Sequence, residues 1–214
     1  MKKQVVAGII IALVVAVGVV FILGLDLEPE DTFDNEGRYD STVLNDMGVI
    51  YSNQSDIAHW NNGYSESNAC PWNAIHNGLD YMFYNNSIVI AASPGLVENI
   101  EIGYLENTTI YKVGVKIRFN ESVTVEYGFE GDGNETLRAQ QVAMLGIEIG
   151  DWVAKGDQIG NFLRPTEFDH IHFAVYVNDV SHCPRLFLGE DDYNEIKSLI
   201  DVFHPDPEWE LCYP

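Results

Sequence analysis

The sequence predicts a mainly β domain built on an antiparallel sheet. A transmembrane helix is predicted at the N-terminus, before this domain, and a short helix is predicted at the C-terminus, after it. Between residues 75 and 188, short runs of β-branched and aromatic residues alternate with Gly, Asn and Pro turns. The same stretch contains no long segment with the apolar period of a helix. Hydrophobic residues make up 46% of the 214-residue chain, which is enough to build a buried core.

An apolar segment runs from Val5 to Leu25 without a charged residue. As a helix, its 21 residues would cross the roughly 30 Å of a bilayer's hydrocarbon layer. Lys2 and Lys3 precede it, and positive flanks stay in the cytoplasm. A cleaved signal peptide is the alternative, but its apolar stretch is usually about 7–15 residues. We expect residues 1–25 to be an uncleaved single-pass membrane anchor, with a cytoplasmic N-terminus and the main domain outside the cell membrane.

The chain is strongly acidic, with a formal net charge of −22. Nucleic acids and anionic lipid surfaces are disfavoured as partners, because both require clustered cations. Residues 26–42 are acidic, contain Pro and Gly, and have no apolar period. They are predicted to be a tether that holds the domain away from the membrane.

Two features of the sequence suit a protein outside the cytoplasm. The first is an excess of Asn-x-Ser/Thr sequons, which predicts a glycoprotein, although turns rich in asparagine also produce sequons. The five candidates are Asn53, Asn85, Asn107, Asn120 and Asn134. The second is the presence of three cysteines, Cys70, Cys183 and Cys212. They allow one disulfide and leave one thiol over, and the sequence leaves open which pair forms.

Several segments can be assigned individually. Val113–Phe119 and Val123–Tyr127 flank a turn sequence and predict a β-hairpin. His170–Val177 predicts a further strand. Asp191–Phe203 has apolar residues on one face and acids at its start, and Pro205 follows it, so it is predicted to be a helix.

The first group of candidate functional residues lies in the segment His76-Asn77-Gly78-Leu79-Asp80. On a straight strand, His76 and Asp80 would share a face but lie about 13 Å apart. One metal ion would bind both side chains only if the chain bends between them, and Gly78 is the residue that permits a bend.

The second group lies on the predicted strand from His170. His170 and His172 share one face of it, while Ile171, Phe173 and Val175 occupy the other and predict a core face. Imidazole and carboxylate are ordinary zinc ligands, and three protein ligands with an open position define a catalytic zinc site. His76, Asp80 and His172 would make this set, and His170 would act on the bound water.

The chain resembles the lysostaphin/LytM-type zinc metallopeptidases over about residues 70–190. Their His-x-Gly-x-Asp motif stands here as His76–Asp80, and their His-Leu-His-Phe motif as His170-Ile171-His172-Phe173. Between these motifs, IVIAASPGLV (88–97) and IEIGDWVAKGDQIG (147–160) resemble the family's strand with a glycine turn and its glycine-containing hairpin. A segment with proline, Cys183–Leu188, stands where the family often closes its sheet.

The resemblance implies a LytM-like sheet with a duplicated hybrid motif over residues 43–190, followed by a helix and tail over 191–214. It implies that His76, Asp80 and His172 bind Zn²⁺ and that His170 is one of two catalytic histidines. The second histidine is expected in a Tyr-x-His segment, where this chain has Phe129. Glu130 follows, but neighbours on a strand point to opposite faces. The resemblance therefore predicts a zinc site with reduced catalytic power.

Two functions follow from these observations. One is a membrane-anchored, extracytoplasmic zinc metalloendopeptidase that acts on peptide bonds of cell-envelope material. The other is a catalytically degenerate module that keeps zinc for interaction or scaffolding in the cell envelope. The complete ligand set favours the first, and Phe129 favours the second.

Overall fold

A computed structural model describes residues 46–206 and 209–214 of the protein. The predicted anchor (1–25) and tether (26–42) lie outside the described residues. Within the described part of the chain, no helix is long and apolar enough to cross a membrane.

The architecture is mainly antiparallel β-structure, as predicted. The strands are β1 (Ile57–Trp60), β2 (Tyr64–Ser65), β3 (Leu79–Phe83), β4 (Ile88–Ile90), β5 (Gly95–Tyr104), β6 (Ile110–Arg118), β7 (Val123–Asp132), β8 (Trp152–Val153), β9 (Gln158–Asn161), β10 (His170–Val177), β11 (Val180–His182) and β12 (Cys212–Tyr213). The helices are α1 (Glu135–Ala143) and α2 (Glu190–Phe203), with 3-10 turns at Gln54–Asp56 and Pro184–Leu186.

Eight strands form the main sheet in the order β1-β3-β10-β7-β6-β5-β8, with β11 paired to β10. Two small sheets accompany it, the antiparallel pair β4–β9 and the parallel pair β2–β12. The predicted hairpin is the pair β6–β7 at the centre of the main sheet, and both strands extend beyond their predicted bounds. The strand predicted at His170–Val177 is confirmed with the same bounds.

The two faces of the main sheet differ in chemistry because side chains alternate along each strand. One face is the core, and on β7 it carries Val123, Val125, Tyr127 and Phe129, all fully buried. The other face carries polar and charged side chains on β6, β7 and β10. The candidate site is on this polar face.

The two helices differ in how clearly the sequence encodes them. Helix α2 is confirmed and begins one residue before its predicted start, with Ile196, Leu199 and Ile200 buried. Helix α1 was not predicted from the sequence. Its only buried residue is the polar Gln141, so the segment lacks the apolar period from which a helix is predicted. Its N-cap is the sequon residue Asn134, whose side chain accepts bonds from two backbone amides of the first turn.

The structure corrects the set of glycosylation candidates. Asn120 is only 1% exposed, and its side-chain oxygen accepts hydrogen bonds from the backbone amides of Ser122 and Val123. This side chain forms the turn between β6 and β7, so in the folded protein it is inaccessible to modification. The other four candidate asparagines are exposed.

Cys183 and Cys212 form the disulfide, and Cys70 is the free cysteine of the described chain. The bond joins the segment after β11 to the C-terminal strand β12. The next residue, Tyr213, packs edge-on against Trp72, and Trp72 packs against His76. The disulfide therefore holds the C-terminal tail beside one of the candidate ligands.

We expect Cys183→Ser to lower the melting temperature substantially. The disulfide closes a loop with a sequence separation of 29 residues, and the chain-entropy model assigns about 3–4 kcal/mol to a loop of this length. Thermal unfolding followed by circular dichroism measures the effect. Cys70→Ser is the matched control, and an equal shift in both variants would contradict the expectation.

Candidate metal centre

Adjacent strands bring the two candidate groups together. Strands β3 and β10 pair antiparallel, with His172 directly opposite Asp80. Strand β7 pairs with the other edge of β10 and places Glu130 directly opposite His170. His170 and His172 lie on the face opposite the core residues Ile171, Phe173 and Val175, as the alternation predicts.

The carboxylate of Asp80 is at the centre of the site. Its Oδ1 lies 2.9 Å from Nδ1 of His172 and 3.2 Å from Nε2 of His76. It also lies 3.5 Å from Nε2 of His170. Donor atoms of His76, Asp80 and His172 all lie within 4.8 Å of one another. The structure therefore brings together the three side chains that the sequence analysis grouped as ligands.

Gly78 makes this convergence possible through close packing. His76 lies before β3, in an isolated bridge with Ser65, so the chain is not the straight strand that would separate His76 from Asp80. A Cβ atom at Gly78 would lie 2.5 Å from the backbone oxygen of Phe173 and 2.6 Å from Nε2 of His172. Only glycine leaves room for β10 and the His172 ring at this distance.

Backbone carbonyls orient two of the imidazole rings. Nδ1 of His76 lies 2.7 Å from the carbonyl oxygen of Gly63, and Nδ1 of His170 lies 3.0 Å from that of Phe168. A carbonyl oxygen only accepts hydrogen bonds, so each Nδ1 is the donor. The lone pair of neutral His76 is then on Nε2, which faces Asp80. This is the usual way in which a protein fixes the ring of a metal-binding histidine.

The charges of the site favour an ionised Asp80. Burial opposes the charged form, but hydrogen bonds from His172 and His76, and the charge of His170, hold the pKa of the Asp80 carboxyl far below its usual range. For His76, burial also opposes the charge, but the hydrogen bond and charge of Asp80 outweigh it and raise the pKa. The metal-free site therefore holds a proton on His76 to a higher pH than a free histidine does.

The separations of Asp80 from the two histidine donors suit a zinc ion. Zinc takes imidazole nitrogen and carboxylate oxygen at about 2.0–2.2 Å in a tetrahedron, which places neighbouring donor atoms roughly 3.3 Å apart. The separations from Asp80 Oδ1, 3.2 Å to His76 and 2.9 Å to His172, are close to that value. A set of three protein donors leaves a fourth position for water or substrate.

The expectation that Phe129 faces the site is wrong. Phe129 is fully buried in the core and packs against Phe162. Glu130 is the residue on the site face, and its Oε2 lies 3.5 Å from Nε2 of His170. Val123, Val125 and Tyr127 are apolar at alternate positions of the same strand, and this alternation assigns Phe129 to the core and Glu130 to the opposite face.

The site opens into a pocket of about 340 Å³ on the polar face of the sheet. Besides the histidines, Asp80 and Glu130, four residues line it that were not predicted to belong to the site: Asn77, Leu105, Lys112 and Tyr176. The Asn77 side-chain nitrogen donates to the Tyr176 hydroxyl at 3.2 Å. Asn77 lies within the His76–Asp80 motif and Tyr176 on the strand that begins at His170, but no motif marks Lys112 or Leu105 as part of the site.

Zinc binding is expected to weaken as the pH falls from about 8 to 6. A proton competes with the metal for Nε2 of His76, whose pKa is raised, whereas Asp80 is already ionised throughout this range. One competing proton weakens the apparent affinity by at most about tenfold per pH unit. Competition titration with a chromophoric chelator measures it. His182→Ala should keep the same slope, and a pH-independent affinity would contradict the assignment of His76.

Three solved structures show what the chain is similar to. Lysostaphin, the antimicrobial peptidase of Staphylococcus simulans, is 19% identical, with 65% of this chain covered and 52% of that chain, at a TM-score of 0.43. A zinc containing peptidase from Vibrio cholerae is 14% identical, with 64% of this chain and 40% of that chain covered, at a TM-score of 0.42. Csd3 of Helicobacter pylori is 21% identical, with 78% of this chain and 47% of that chain covered, at a TM-score of 0.45.

The present chain thus spans about half the length of each of these proteins. No protein-family model matches the sequence. A search of curated proteins gives no match either.

Proposed function

We propose that the protein is a zinc metalloendopeptidase of the lysostaphin/LytM type that hydrolyses peptide bonds of cell-envelope material. The observation that carries the proposal is the convergence of His76, Asp80 and His172 at distances that suit one zinc ion, beside a pocket on the polar face. The peptidase names among similar structures accord with it.

The chemistry divides between the metal and the chain. Zinc, when bound, polarises a carbonyl group and makes water a stronger nucleophile. The chain presents two imidazole nitrogens and one carboxylate, and the Gly63 carbonyl fixes the His76 ring. His170 presents Nε2 to the pocket, 3.5 Å from Oε2 of Glu130.

The place of action that we propose rests on the sequence. An anchor over residues 1–25 would leave the acidic tether and the domain outside the cytoplasm. The exposed sequons Asn53, Asn85, Asn107 and Asn134 would then be available for glycosylation, and the disulfide suits that compartment. The substrate would be a peptide or an envelope polymer that reaches the pocket from outside.

One observation favours the alternative, a zinc-binding scaffolding module without hydrolytic activity. Lys112 lies over Gly128, beside the site, and its Nζ is 2.6 Å from the Glu126 carboxylate. This ion pair fills part of the polar face that an extended peptide would need. An active enzyme would have to bind its substrate alongside the pair or displace it.

The test uses the full chain purified in detergent, with His172→Ala as the control. Mass spectrometry of the metal content is expected to give about one zinc per chain, lost in the control. A library of quenched fluorescent peptides is then expected to be cleaved by the zinc-loaded protein and spared after chelation. Zinc binding without cleavage would favour the scaffolding module. Absence of zinc from a folded protein given excess metal would refute both functions.

A further inference from the structure

Glu130 is a buried carboxylate in the pocket, and its ion-pair partner among the described residues is His170. The residue is 7% exposed and lines the pocket together with the candidate ligands. Its nearest cationic atom is Nε2 of His170, at 3.5 Å. Among the described residues, no hydrogen-bond donor is found on its carboxylate.

A second buried glutamate of β7, Glu126, is paired with lysines and serves as a comparison for Glu130. Glu126 lies four residues away on the same face and is 4% exposed. Its carboxylate is 2.6 Å from Nζ of Lys112 and 3.8 Å from that of Lys116. A buried charge is costly unless it is paired. Glu126 meets this requirement through the two lysines, whereas Glu130 has the more distant partner His170, at 3.5 Å, and lines the pocket.

Beside a metal's open position, a carboxylate is a suitable proton acceptor. In zinc peptidases with the His-Glu-x-x-His motif, a glutamate that is not a ligand is the general base. Here Glu130 on β7 is paired with His170 on the adjacent strand β10, and both side chains lie on the polar face that lines the pocket. Glu130 thus provides a proton acceptor beside the pocket. Replacement of the second catalytic histidine by Phe129 was expected to leave none there.

We propose that Glu130 is a catalytic residue, the general base of the hydrolysis; this inference rests on the proposed function. Glu130 takes a proton from the attacking water as the water oxygen forms a bond to the carbonyl carbon and the carbonyl π electrons move to oxygen. On collapse, the C–N bond breaks and the amine nitrogen receives the proton from Glu130. One water is consumed, and one acid and one amine are released.

The test compares Glu130→Gln with the wild-type full chain, both loaded with zinc. Glutamine keeps the shape and removes the basic oxygen. The loss of a general base lowers kcat by about 100-fold or more, and we expect KM to stay within about threefold of wild type. Zinc affinity, measured by chelator competition, is expected to stay within about threefold, because the Glu130 carboxylate pairs with His170 and with none of the three candidate ligands. Glu101→Gln, on the exposed part of β5, is the charge-matched control and should match wild type.

A further variant separates a base from a merely structural carboxylate. In Glu130→Ala, added formate should restore the cleavage rate at least about tenfold, because a small carboxylate takes the vacated place. Three results would overturn the inference while the proposed function stands: a Glu130→Gln rate within about threefold of wild type, a fall of more than about tenfold in its zinc affinity, or no rescue by formate. A zinc-loaded wild type that cleaves no peptide would refute the proposed function itself, and the inference with it.

Discussion

Gly78→Ala is expected to abolish zinc binding and to destabilise the domain. The new methyl group would lie 2.5 Å from the backbone oxygen of Phe173 and 2.6 Å from Nε2 of His172. Backbone atoms cannot move aside without separating β3 from β10, so Asp80 and His172 would lose their separation of 2.9 Å. Overpacking of this kind costs about 1–3 kcal/mol or more.

Thermal unfolding and chelator competition measure the two effects of this substitution. For a domain of this size, a loss of about 3 kcal/mol lowers the melting temperature by about 6–12 °C. Gly103→Ala is the matched control, because a Cβ atom there meets no atom within 4 Å. A Gly78→Ala protein that binds zinc as tightly as wild type would show that the close approach of β3 to β10 is not required for the site.

Asp80→Asn should weaken zinc binding by at least about 100-fold while keeping the fold. Asparagine has the same shape but lacks the negative charge that a zinc ion prefers in its ligand. Asp80 is also the one group that contacts all three histidines of the site. Second-shell substitutions typically cost 10- to 100-fold in metal affinity, so the loss of a ligand should cost at least as much.

Metal content by mass spectrometry and the affinity from chelator competition check the Asp80→Asn prediction. Asp201→Asn removes one carboxylate from the exposed part of α2 and should leave both values unchanged. If Asp80→Asn retains wild-type affinity with an intact circular dichroism spectrum, Asp80 is not a ligand and the proposed donor set is refuted.

Much of the fold could be predicted because it is encoded locally. The strand His170–Val177 and the β6–β7 hairpin are visible as alternating apolar residues between turn residues. Helix α2 has an apolar face and a proline after its end. Helix α1 could not be found this way, because it buries a single polar side chain, Gln141, whose amide bonds to Asn161 and Leu163.

The histidines and the aspartate of the candidate site could be predicted from the sequence, but their arrangement and the other residues of the pocket could not. The two motifs named His76, Asp80, His170 and His172, because their order and residue types resemble the zinc-site motifs of the lysostaphin/LytM-type peptidases. Asp80 and His172, however, are 92 residues apart in the chain. Their contact depends on which strands pair, and this is fixed by the packing of the whole sheet. Likewise, which two of the three cysteines form the disulfide depends on the pairing of the C-terminal strand β12 with β2.

By itself, the sequence determined the class of the domain, the set of candidate donors and the charge of the surface, because alternation, composition and motif spacing are properties of neighbouring residues. Only the tertiary structure decided that Glu130 lies directly opposite His170 beside the pocket, that Asn120 is buried, and that Gly78 serves a close approach between strands. These depend on the register between strands, since a shift of one residue would exchange the two faces of β7.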